Sequence, residues 1–123
     1  RESGLRKRLN AGHTVGHAVE RLDGFRLSHG EYVALGLRAE AGMFADELDK
    51  DYVAEVQRLC AAVCRHRFPQ VSAEDITATA RADKKNTRGN IVVMLPVGGG
   101  RVEEKKLSPE EFERRLSACL SVL

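Results

Sequence analysis

The stretch Gly12-His13-Thr14-Val15-Gly16-His17-Ala18-Val19-Glu20-Arg21-Leu22 predicts a helix with His13, His17 and Glu20 near one face. Side chains four apart on a helix project from the same side, so the rings of His13 and His17 are neighbours. Residues 23–28 follow as a loop interrupted by Gly24, and His29 stands where a second helix opens. Three of the four histidines therefore fall within 17 positions, and one from the first helix can converge with one from the next on a divalent ion. Imidazole suits zinc, and a catalytic zinc needs about three protein ligands plus an open position. Spacing by itself is more commonly met by solvated or hydrogen-bonded histidines.

Outward from this stretch, the second helix shows an apolar stripe of Val33, Leu37, Ala41, Phe44 and Leu48 at three- and four-residue intervals. Gly36 and Gly42 weaken it by about 1 kcal/mol each relative to alanine; close helix packing is one reason to keep them. Residues 52–67 repeat the pattern through Val53, Val56, Leu59 or Cys60, and Val63, and Phe68-Pro69 ends it. Ser72-Ala73-Glu74-Asp75 resembles a capping box opening a helix that runs towards Asp83-Lys84-Lys85. Residues 91–95 are apolar and rich in β-branched side chains, and predict a short strand with Pro96 behind it. Gly98-Gly99-Gly100 supplies a turn, and residues 102–106 return as a more polar partner. Ser108-Pro109-Glu110-Glu111 is a helix start, after which Phe112, Leu116 and Leu120 face the core. The expected fold is mainly α: one multi-helical domain over residues 1–123 with one short β-hairpin.

Composition narrows the function. In 123 residues, 20 basic side chains oppose 18 acidic ones, a balance that excludes the broad cationic field of a dedicated nucleic-acid binder. No window reaches the roughly 20 apolar residues of a membrane span, and residues 1–10 are charged, unlike a signal peptide. Three cysteines do not make an even disulfide set, which favours a reducing, cytoplasmic setting.

The string Asn10-Ala11-Gly12-His13-Thr14-Val15-Gly16-His17-Ala18-Val19-Glu20, followed by His29-Gly30-Glu31 and Ala34-Leu35-Gly36, resembles the signature of the 3-dehydroquinate synthase family. Asp83-Lys84-Lys85-Asn86 and the strand after it are similar to that family's D-K-K segment and the strand that follows. The likeness runs in the same order from Gly4-Leu5-Arg6 to about Val97. It implies a C-terminal, metal- and substrate-binding helical domain of a two-domain enzyme whose N-terminal nucleotide-binding domain is absent from this chain. Such enzymes convert 3-deoxy-D-arabino-heptulosonate 7-phosphate to 3-dehydroquinate and phosphate in the shikimate pathway of aromatic amino acid biosynthesis. They use NAD transiently and require Zn2+ or Co2+. By position, the resemblance makes His13 and His29 the metal ligands, with a third ligand, a glutamate, in the N-terminal half. It makes His17 and Lys85 catalytic, and Arg6, Asn10, His17 and Lys85 the substrate-binding residues, with no nucleotide-binding residue in this chain. A homodimer is a further implication.

These roles agree with the chemistry of the residues. Arg6 and Lys85 supply cations for a phosphate and a carboxylate. His17 suits proton exchange with phosphate because imidazole titrates close to neutrality, and Asn10 adds a hydrogen bond without charge. Glu20 and Glu31 are expected to orient the histidines or cap helices rather than to bind metal. Cys60 and Cys64 are expected as buried free thiols rather than a second metal site. Gly98-Gly99-Gly100 is expected as a turn rather than a phosphate cradle, and Lys84, Lys105 and Lys106 as solvated charge. The alternatives are another sugar-phosphate cyclase of the 2-deoxy-scyllo-inosose or valiolone type, a metal-dependent alcohol or glycerol dehydrogenase, or a stand-alone module without catalysis. Retention of Asn10, His17 and Lys85 favours the dehydroquinate enzyme, and the chain alone is expected to fold without being active.

Overall fold

The computed structural model describes residues 11–83, 86 and 89–123. Among these, five α-helices and one hairpin follow in the order α1 (His13–Leu22), α2 (His29–Met43), a 3-10 turn (Ala45–Glu47), α3 (Lys50–Val63), α4 (Ala73–Arg81), β1 (Ile91–Gly98), β2 (Arg101–Leu107) and α5 (Pro109–Leu120). The mainly helical expectation holds.

Local chemistry explains most boundaries. The Ser28 hydroxyl accepts from the N–H of Glu31, whose carboxylate accepts from Ser28 N–H in return, a complete capping box at the start of α2. Asp49, Ser72 and Ser108 cap α3, α4 and α5 in the same sense, each accepting from the N–H three residues on. Such caps are typically worth about 1 kcal/mol. Helix α1 differs. It follows Gly12, a left-handed residue (φ 81°) with no side chain to cap the turn.

Helix α2 is the centre of the domain. Tyr32, Leu35 and Ala39 are fully buried, as is Glu40. It packs against α1, α3 and α5, so its burial is not the single stripe expected from periodicity. Val33 and Leu37 are only half-buried, the helix stops at Met43, and Leu48 lies beyond it. The seam expected on the third helix also shifts. Val56, Cys60 and the following Cys64 are buried, whereas Leu59 and Val63 are 51% and 62% exposed. That helix starts at Lys50, where Asp49 caps it, and ends at Val63 because Cys64 is extended. Cys60, Cys64 and Cys119 are buried free thiols.

The hairpin pairs Ile91 with Leu107 and Leu95 with Glu103. Strand β1 continues through Pro96, opposite Val102, before an irregularity next to Gly98. In a two-stranded sheet each strand has an open edge, where proline's missing N–H is tolerated. Gly98, Gly99 and Gly100 all have positive φ, at 98°, 61° and 73°, a succession that side chains with a Cβ rarely adopt. Lys105 is not merely solvated. It pairs with Glu47 and Glu103, each at 3.2 Å. Arg115 of α5 donates to Met43 O at 3.0 Å and to Glu111 at 2.8 Å, with its guanidinium 4.9 Å from the Phe44 ring centre.

Candidate metal and substrate site

The site begins where α1 meets α2. These helices cross with almost no side-chain spacer: a Cβ on Gly36 would stand 2.1 Å from Gly12 O and 2.4 Å from Gly16 N. The approach brings His13, at the start of α1, beside His29, at the start of α2. Their ring centres are 5.3 Å apart with planes tilted by 57°.

The Nδ1 side of each ring has an acceptor. His13 Nδ1 lies 3.3 Å from Ala11 O, and His29 Nδ1 lies 3.2 and 3.3 Å from the two carboxylate oxygens of Glu20. An Nδ1–H donated to an oxygen leaves the lone pair on Nε2, the tautomer a metal-ligating histidine usually takes. Glu20 is only 8% exposed, and its carboxylate also lies 3.7 Å from His17 Nδ1. One carboxylate on α1 therefore faces two of the three clustered histidines. Glu31 instead serves the capping box and lies 3.6 Å from His66.

His29 is placed by the loop before it. Tyr32 OH donates to Asp23 at 2.6 Å and accepts from Leu27 N–H at 3.1 Å, while Arg26 donates to Asp23 at 2.8 Å. On the other side of α1, Thr14 OH donates to Val92 O at 2.6 Å, fixing the helix against β1. Asn86 joins α4 to the strand, donating to Ala80 O at 2.6 Å and accepting from Val92 N–H at 2.8 Å. Between these elements lies a cavity of about 320 Å3, lined by His13, His17 and Arg21 of α1, Thr79 of α4, Asn86, and Met94 of β1.

The structure thus brings His13, His17 and His29 together. The expected substrate residues Arg6, Asn10 and Lys85 lie outside the described residues. Among the described residues, no three His, Cys, Asp or Glu side chains form a metal-holding group; the imidazoles that meet between α1 and α2 are those of His13 and His29. Thr14, Asn86, Tyr32 and Asp23 escaped the sequence reading as site supports. Asp23 and Tyr32 could have been noticed as polar residues flanking the loop that leads to His29. So did Glu40, which is fully buried and directs its carboxyl at the first turn of α1. Burial pushes that carboxyl up to about 8, against the opposing pull of backbone N–H groups of Val15, Gly12 and Thr14.

A family model described as 3-dehydroquinate synthase C-terminal matches residues 1–86. The chain is 40% identical over 122 residues to the 3-dehydroquinate synthase of Gloeobacter violaceus, covering 94% of this chain and 34% of that protein. It is 38% identical over 115 residues to that of Pyrococcus abyssi, covering 91% and 33% respectively. The chain therefore spans about a third of the length of the curated relatives it matches. Among solved structures it is similar to 2-deoxy-scyllo-inosose synthase complexed with carbaglucose-6-phosphate, NAD+ and Co2+. The TM-score is 0.72 at 18% identity, over 89% of this chain and 32% of that one, a likeness of fold.

Proposed function

Because this chain belongs to the 3-dehydroquinate synthase family through its C-terminal domain, we propose that it forms the metal- and substrate-binding part of a dehydroquinate-forming enzyme. The substrate is 3-deoxy-D-arabino-heptulosonate 7-phosphate, and the products are 3-dehydroquinate and phosphate. The observation that carries this reading is the His13–His29 pair, 5.3 Å between ring centres, beside a cavity that His17 also lines.

His13 and His29 would hold Zn2+ or Co2+, and an N-terminal nucleotide-binding domain, which would also hold NAD, would contribute a carboxylate as third ligand. When bound, the ion supplies fixed positive charge that orients substrate hydroxyls and polarises a carbonyl oxygen. Glu20 keeps the His29 ring turned and its Nδ1 protonated. His17, one helical turn from His13, exchanges a proton with the phosphate at the same cavity. Arg6 and Lys85 neutralise the substrate's anionic groups, and Asn10 binds a hydroxyl. The partner domain excludes water from the cleft, which strengthens each of these contacts. The NAD+ and Co2+ of the 2-deoxy-scyllo-inosose synthase complex support the cofactor assignment. Buried free thiols at Cys60, Cys64 and Cys119 support a reducing, cytoplasmic setting. No described helix is long and apolar enough to cross a membrane.

The test is an assay of this chain alone and of its fusion to the N-terminal part of the Gloeobacter violaceus enzyme, each with substrate, NAD and Zn2+. The fusion is expected to form dehydroquinate and the isolated chain none. Turnover of a hexose 6-phosphate in place of the heptulosonate would favour the 2-deoxy-scyllo-inosose type of cyclase. Dehydroquinate from the isolated chain would overturn the division of labour between the domains.

A further inference from the structure

We infer that Glu40 is a positioning residue for His13: a carboxyl on α2 that caps the first turn of α1 and thereby holds His13 against His29. The inference rests on reading that pair as a metal site.

The first N–H groups of any α-helix lack partners within the helix and need acceptors from outside. For α2 to α5 the residue at the cap supplies one; Gly12, left-handed and without a side chain, supplies none to α1. Glu40 does so from 28 positions away. One carboxyl oxygen accepts from Gly12 N–H at 3.1 Å and the other from Val15 N–H at 2.9 Å, so the bonds bracket His13 and Thr14. The Gly12–Gly36 crossing makes this possible. Gly36 and Glu40 lie one turn apart on the same face of α2, and the bare backbone at Gly36 lets α1 come within reach of the Glu40 side chain.

Packing does not explain the choice of residue. Glu40 is fully buried, and an aliphatic side chain would fill the space without the desolvation of a carboxyl. Its oxygens do what an aliphatic group cannot, which is to hold the first turn closed. His13 is the first residue of α1 and lies in that turn. His17 sits one turn further in, and His29 has separate support from the Ser28 capping box and Glu20. Loss of the Glu40 carboxyl therefore falls on His13 before it reaches the other two.

The experiment compares the full 123-residue chain with its Glu40→Leu, Glu40→Gln, His13→Ala and Leu116→Ala variants. Zn2+ affinity is read from histidine ring NMR signals, and first-turn closure from amide hydrogen exchange at Thr14 and Val15. Glu40→Leu is expected to weaken Zn2+ binding at least tenfold and to speed exchange at both amides. Glu40→Gln, which keeps one carbonyl oxygen, should fall in between. Leu116→Ala destabilises the α5 side of the core and should leave the affinity of the folded chain unchanged; a purely structural role for Glu40 would make Glu40→Leu behave in the same way. A folded Glu40→Leu chain with Zn2+ affinity within twofold of the parent would overturn the inference. If that variant does not fold, unchanged affinity in Glu40→Gln overturns it equally. Unchanged Zn2+ binding in His13→Ala would instead overturn the metal-site reading, and this inference with it.

Discussion

Glu20 Oε1 lies 3.2 Å from Nδ1 of His29, across the loop that separates α1 from α2. A carboxylate on one helix thus orients a ring on the next, so His29 depends on the packing of α1 as well as on its own helix. Carboxylate partners of this kind typically change metal affinity by about 10- to 100-fold when removed. Glu20→Ala is expected to weaken Zn2+ binding by that amount while the far-ultraviolet circular dichroism stays native. A competition titration with a zinc chelator measures it, and an affinity within twofold of the parent would count against Glu20 as the orienting group.

The α1–α2 crossing sets a steric limit. Gly36→Ala would place a Cβ 2.1 Å from the backbone oxygen of Gly12, which no side-chain rotation can relieve. Forced overpacking typically costs about 1–3 kcal/mol, and urea unfolding should show at least that loss. Gly30→Ala is the matched control. Nothing lies within 4 Å of its added Cβ, so its stability should stay within about 0.5 kcal/mol of the parent or rise slightly.

Glu40 links stability to pH. Its carboxyl is pushed up to about 8 by burial, from an ordinary value of 4.5. Between those values the folded chain keeps a proton that the unfolded chain has released. The group's contribution is therefore fully present below about 4.5 and is lost as pH rises through about 8. Unfolding free energies at pH 5, 7 and 9 should decline more steeply for the parent than for Glu40→Gln, in which this site cannot titrate. Parallel declines would show that Glu40 does not hold its proton.

Arg115 is the main polar tie between α5 and the end of α2. It reaches Met43 O and Glu111 and lies over the Phe44 ring. A lysine cannot reproduce a planar fork that bonds in two directions while stacking. Arg115→Lys should therefore lose about 1–2 kcal/mol, read from the urea midpoint at unchanged slope.

What the sequence made legible was local. Ser72 and Ser108 announce their helices within four residues, and the three glycines at 98–100 announce the turn. The histidine block was legible because His13 and His17 share a helix and His29 opens the next. Burial on α3 was not, since Leu59 and Cys60 are adjacent on the helix and tertiary packing alone decides which is covered. Glu40 was invisible for a related reason. An acid within a helix reads as solvated charge until a second helix, 25 to 28 residues earlier, presents N–H groups to it. Pairings at that distance leave no periodic trace.

The proposed function stands on His13 and His29 together holding one divalent ion. Zn2+ titration of the chain, followed by the ring signals of all four histidines, tests it most directly. His13 and His29 are expected to respond together with one apparent affinity, and either alanine substitution is expected to abolish the response of the other ring. Independent responses of the two rings, or saturation at His66 first, would contradict it.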